Sequence, residues 1–197
     1  MGPLPVLAIY FFLKPMIRSF CTVFVLALSL SSSPAQEAKA TELKVGSFTF
    51  KVAAPWVAKA EPRAMSKGGF TLPAKEGAAP VEADFYHFGV GGGGGIEPNL
   101  KRWQSQFTPG ADGKPPAMER EEITVGGQKA LMVSLKGTFL SGPAMSPNKV
   151  PLPNYAMLGA ILQSAEGDVF IKITGPEAAT LATRDQVKEM VKAAFAK

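Results

Sequence analysis

Apolar and polar side chains alternate with period two at Phe48, Phe50 and Val52, with Thr49 and Lys51 between them, the pattern of a strand with one buried face. Pro55 ends that strand, Phe70 and Leu72 suggest a second, and residues 73–80, rich in Ala, Gly and Pro, read as a surface loop. A third strand is predicted over residues 81–90. It places Val81, Ala83, Phe85 and His87 on one side and Glu82, Asp84, Tyr86 and Phe88 on the other. Both sides carry aromatic rings, so at least part of each is covered.

The period changes after the glycine run of residues 91–95. Leu100, Trp103 and Phe107, spaced by three and four, form the apolar stripe of a helix predicted over residues 97–107, with Pro98 in its first turn. Residues 108–116 form another Pro- and Gly-rich loop. A hairpin follows, with strands 123–125 and 128–140 joined by Gly126-Gly127, a pair that tolerates the positive φ angles of tight turns. Leu131, Val133 and Leu135 face one way on its second strand. Four prolines between residues 141 and 154 predict an extended loop there, because proline cannot donate a ladder hydrogen bond. A second hairpin is expected from strands 155–164 and 168–174. The last element is a helix with a capping box at Thr183 and Gln186 and a core stripe at Val187, Met190, Val191 and Ala194.

Strands joined by tight turns pair antiparallel. The expected fold class is therefore α+β: an antiparallel sheet of about six or seven strands covered by two amphipathic helices, an α/β/α sandwich.

The beginning of the chain follows a different pattern. Two apolar runs, residues 6–13 and 20–30, are separated by Lys14, Pro15 and Arg18, and neither reaches the roughly 20 residues a spanning helix needs. A basic start, a short apolar run and the small residues Ser33 and Ala35 form a signal peptide over residues 1–35. Met16 offers a second start that keeps the signal whole, and Ala40 is the alternative cleavage point. Residues 36–43 read as a linker and 44–197 as one domain. The expected product is exported, periplasmic or extracellular, with no membrane span after cleavage.

Cleavage removes Lys14 and Arg18 and no acid, lowering the net charge of +5 by two. The mild balance, with no basic run, lacks the footprint of a nucleic-acid binder. Cys21, the one cysteine, leaves with the signal, so disulfides, thiolate ligands and a cysteine nucleophile are excluded from the mature chain. No cofactor is implied, and stability must come from packing.

Candidate chemistry is sparse. Gly89, Gly91 and Gly94 match a G-x-G-x-x-G template that any glycine run satisfies, and Glu97 puts a negative charge where phosphate would sit. An anion-binding module at this loop is one alternative reading. His87, the one histidine, lies three residues from Asp84 and so on the opposite strand face, which prevents a dyad. Glu119, Glu121 and Glu122 read as a charged sheet edge rather than a cation site. Four residues remain as candidates for binding: Arg102 and Gln106, which share a helix face, Trp103 in the stripe between them, and Lys172, a charge central in an apolar strand. No catalytic or metal-binding residue is assigned.

The stretches 99–107, 155–160 and 172–176 together resemble uncharacterised exported bacterial proteins, many of them lipoproteins, over most of the chain from Phe48 onward. The order of elements is also similar to the α/β/α sandwich of PsbP-like and Mog-type domains. That resemblance implies non-enzymatic binding of a protein or small ligand. A lipobox is lacking, so the lipid tether is not implied. The alternative to a binding or accessory domain is a hydrolase using a carboxylate such as Asp84 or Glu82.

Overall fold

The computed structural model describes residues 40–143 and 146–196, all within one unit of the chain. The signal peptide and both cleavage points read from the sequence lie outside these residues, except for Ala40 itself.

The elements run in the order β1 (Thr41–Val45), β2 (Phe48–Val52), β3 (Val57–Ala58), β4 (Gly68–Leu72), β5 (Val81–His87), α1 (Ile96–Gln104), β6 (Glu119–Val125), β7 (Gln128–Ser141), β8 (Val150–Leu162), β9 (Val169–Pro176), α2 (Glu177–Leu181) and α3 (Arg184–Phe195). Strands β3 to β9 form one antiparallel sheet in the order β3-β4-β5-β9-β8-β7-β6, and β1 and β2 form a separate hairpin. The α+β fold expected from the sequence is the one observed.

The two faces of the sheet carry separate cores. Val81, Ala83, Phe85, Ile171 and Ile173 point to one side, where α3 and the β1–β2 hairpin cover them with Val187, Val191, Phe195, Phe48 and Phe50. On the other side Leu100, Trp103 and Phe107 lie in a cluster with Val133, Leu135, Met157, Ile161 and Phe170. The stripes read from the sequence thus assign each helix to its own face. The turn between β6 and β7 is Gly126-Gly127, with φ angles of 57° and 81°. Val125 pairs with Gln128 across it, as a two-residue hairpin requires.

Some boundaries differ from the sequence reading. Helix α1 stops at Gln104, and Phe107 leaves the helical path to form an isolated bridge with Phe139. Strand β1 begins at Thr41, inside the stretch read as a linker. Strand β8 begins at Val150 and includes Pro151 and Pro153, where a loop was expected. The physical reason is position: β9 pairs with β8 only from Tyr155 onward, so residues 150–154 have no ladder on that side. Proline is tolerated where a strand has a free edge.

The capping box is also absent. Thr183 makes no cap hydrogen bond; its hydroxyl donates instead to the Thr180 carbonyl at 2.7 Å. Gln186 is engaged elsewhere, accepting from Trp56 Nε1 at 3.0 Å. A tertiary partner has taken the side chain that would have completed the local motif.

Candidate functional site

Alternation along β5 and β9 brings the polar residues Glu82, Asp84, Tyr86 and Lys172 to the α1 side of the sheet. Asp84 and Lys172 are register partners on adjacent strands, and on its other flank Lys172 pairs with Gly159 of β8. Asp84 is only 2% exposed. The β3–β4 connection supplies its counter-charges: Lys59 Nζ donates to Asp84 Oδ1 at 2.8 Å and Arg63 Nε lies 3.2 Å from Asp84 Oδ2. Arg63 also donates to Glu82 at 2.8 Å, and Lys59 lies 3.4 Å from the same carboxylate. Backbone bonds hold this connection in place, from Lys59 N to the Gly69 carbonyl (2.9 Å) and from Lys67 N to the Phe85 carbonyl (2.7 Å).

These charges set the titration of their neighbours. Burial alone would raise the Glu82 carboxyl, but Lys59 and Arg63 hold it below the usual carboxylate range. Burial, reinforced by the negative charge of Asp84, pushes the Tyr86 phenol up to about 12. The Lys172 ammonium is lowered to about 8, first by burial and then by the charge of Arg63, with Asp84 opposing and Lys149 adding to the fall.

Lys172 does not have Asp84 to itself. Its ammonium donates to Gln106 Oε1 and lies 5.2 Å from the centre of the Phe139 ring, within cation–π range. Gln106 is held there by the chain leaving α1, which runs beside β7: Leu140 N donates to the Gln106 carbonyl (2.7 Å) and Thr108 N to the Thr138 carbonyl (2.9 Å). Three cations, Lys59, Arg63 and Lys172, therefore share this face with two carboxylates, Glu82 and Asp84.

Of the four residues singled out from the sequence, the structure brings Gln106 and Lys172 into direct contact. Arg102 is exposed on the same helix end, its guanidinium donating to Asn99 Oδ1, while Gln106 Nε2 donates to the Arg102 carbonyl at 3.3 Å. Trp103 has a different place. It is 5% exposed and lies over Gly159, where an added Cβ would come within 2.2 Å of its ring. The indole supports the site from within the core and offers almost no surface to a ligand.

The other sequence candidates are engaged in structural contacts. His87 Nε2 lies 3.1 Å from the Glu166 carbonyl, a bond in which the imidazole is the donor, on the face opposite Asp84. In the glycine loop, Asn99 Nδ2 donates to the carbonyls of Gly93 and Gly95, both at 2.6 Å, and Gly93 sits against the Phe170 ring. Glu97, in the first turn of α1, accepts from Arg120 at 2.7 Å. Glu119 and Glu121 lie on β6, the edge strand, as expected, yet they reach α3: Arg184 donates to both at 3.2 Å, and Lys188 donates to Glu121. No group of three or more His, Cys, Asp or Glu side chains able to hold a metal ion occurs among the described residues.

Lys59 and Arg63 are the participants that sequence reasoning missed. They lie in an irregular connection more than 15 residues from the acids they pair with, where no periodicity signals their direction. Their spacing of four carries information only on a helix.

No family model matches this sequence, and no curated protein matches it. Among solved structures, the chain is similar to Protein of Unknown Function PA94 from Pseudomonas aeruginosa, with a TM-score of 0.42 and 11% identity over 80% of this chain and 97% of that one. It is similar also to the cyanobacterial PsbP protein (CyanoP) of Synechocystis sp. PCC 6803, with a TM-score of 0.43 and 11% identity over 81% of this chain and 94% of that one.

Proposed function

We propose that this chain is an exported, non-enzymatic binding domain that recognises an anionic group, a carboxylate on a protein or small ligand, at the Lys172 face. The signal peptide read over residues 1–35, with cleavage after Ala35 or Ala40, supports export of the mature domain to the periplasm or outside the cell. The observation that carries the binding reading is the company Lys172 keeps. Its partners are a neutral amide and an aromatic ring, while the nearest carboxylate is held by Lys59 and Arg63. A half-buried cation without its own counter-charge is costly. An incoming carboxylate would supply that charge and gain a charge-assisted hydrogen bond.

The same geometry weighs against Glu82 as the general acid of a hydrolase. A catalytic acid needs a proton to give near neutral pH, and Glu82 is held in its ionised form by the cations around it.

The experiment is a pull-down from envelope extract with the wild-type protein, Lys172→Arg and Lys172→Gln. The expected result is a species retained by the wild type, reduced with Lys172→Arg and lost with Lys172→Gln, with retention falling as pH rises through 8. Equal recovery by Lys172→Gln, or no species specific to the wild type, overturns the reading. Turnover on ester, glycoside or peptide substrates that is abolished by Asp84→Ala would replace it with catalysis.

A further inference from the structure

The opposite face of the sheet holds a cleft of about 260 Å³ between α3, β2 and the inner strands. Its floor is Phe70, Ala83, Phe85 and Ile173, and Val187 and Met190 of α3 form one wall. Trp56 also lines it, its Nε1–H bonded to Gln186 Oε1 at 3.0 Å. The charges around the cleft are already paired or at its margin: Lys51 with Glu42 at 3.6 Å, and Glu189 with Lys192 at 2.7 Å. No charged side chain lies on the floor.

We propose that this cleft is a binding site for a small uncharged molecule with an apolar body and one hydrogen-bonding group, such as a medium-chain alcohol. Size, polarity and the position of the single polar pair argue for it together. A dry cavity of about 150 Å³ lined by aliphatic and aromatic side chains accepts benzene, so this one has room for a molecule of about a dozen non-hydrogen atoms. It lies below the volume of sites that take drug-sized ligands, about 300 Å³ and upward. A charge carried to its floor would meet no counter-charge, which excludes ions. With the one Trp56 N–H already given to Gln186 Oε1, it is the Gln186 amide at the cleft lining that keeps an Nε2–H donor and a second oxygen lone pair for a ligand hydroxyl. The site is separate from the Lys172 face, since Ile173 and Lys172 point to opposite sides of β9.

The protein carries two tryptophans, one on each side of the sheet, which makes the test internal. The ¹⁵N-labelled protein is titrated with 1-octanol, and separately with octanoate, while the two indole N–H resonances are followed, assigned with Trp56→Phe. The expected result is a saturable shift of the Trp56 resonance with octanol, none with octanoate, and a stationary Trp103 resonance throughout. Ala83→Leu fills the floor and Ala193→Phe blocks the mouth from the exposed flank of α3; each is expected to abolish the shift. Should Ala83→Leu fail to fold, Ala193→Phe alone decides. The proposal is overturned if Trp56 does not move up to the solubility limit, if both indoles move together, if octanoate acts as octanol does, or if the shift survives Ala193→Phe.

Discussion

Lys172 and Asp84 face each other across β9 and β5, yet the carboxylate of Asp84 is bonded by Lys59 and Arg63 from a separate segment. The ammonium is left with Gln106 and the Phe139 ring. The consequences for stability differ between the two residues.

For Lys172 the expectation is a pH-dependent penalty. Its folded-state value of about 8 lies below the ordinary 10.5. Below pH 8 both folded and unfolded chains carry the proton, and the cost of burying the ammonium is fully present. Between 8 and 10.5 the unfolded chain binds more protons than the folded one, so stability rises with pH. Lys172→Met is therefore expected to be more stable than the wild type at pH 7, by up to about 3 kcal/mol. The difference should narrow by pH 10 in urea denaturation of both proteins.

For Asp84 the expected effect is a loss. Asp84→Asn leaves Lys59 and Arg63 without the buried charge that both contact. Both cations keep Glu82 and the Arg63 side chain is half exposed, so the expected loss is about 1–3 kcal/mol, below that of breaking a fully buried pair. A denaturation midpoint close to that of the wild type would show that solvent compensates the two cations.

Gly159 is a site where shape alone decides. A methyl group there would meet the Trp103 ring at 2.2 Å and the Val133 side chain at 2.9 Å. Gly159→Ala is expected to cost about 1–3 kcal/mol, the range for overpacking a filled core. A change in Trp103 fluorescence should accompany the lowered midpoint, with the Trp56→Phe background isolating the signal.

Thr180 offers a gain. Its hydroxyl oxygen is buried without a hydrogen-bond partner among the described residues. Replacing it with the isosteric Val removes an unsatisfied group whose burial costs about 1–3 kcal/mol. Thr180→Val should raise the thermal midpoint, and a fall would mean that the hydroxyl has an unseen partner.

What the sequence made legible was whatever depends on neighbours in the chain. The alternation at residues 81–87 placed Asp84 and His87 on opposite faces, and the stripe Leu100, Trp103 and Phe107 marked a buried surface, because both patterns follow from backbone geometry alone. The Lys172–Gln106 contact was half legible. Each residue stood out as a polar side chain, but the bridge that carries Gln106 along β7 joins segments 30 or more residues apart. The failures have the same origin. Gln186 would have capped α3 had Trp56, 130 positions away, not claimed its side-chain oxygen. Pro151 and Pro153 would have ended β8 had β9 extended further along it. Local rules predicted correctly until a distant segment competed for the same group.

The central strand of the sheet is β9, although it is the last strand among the described residues, followed there by α2 and α3. Until residues 169–176 arrive, β3 to β5 and β6 to β8 are two ribbons with no strand to join them. Cooperative assembly must therefore wait for residues 169–176 to be synthesised. A chain stopped before Val169 would leave two exposed sheet edges, open to pairing with any extended segment nearby.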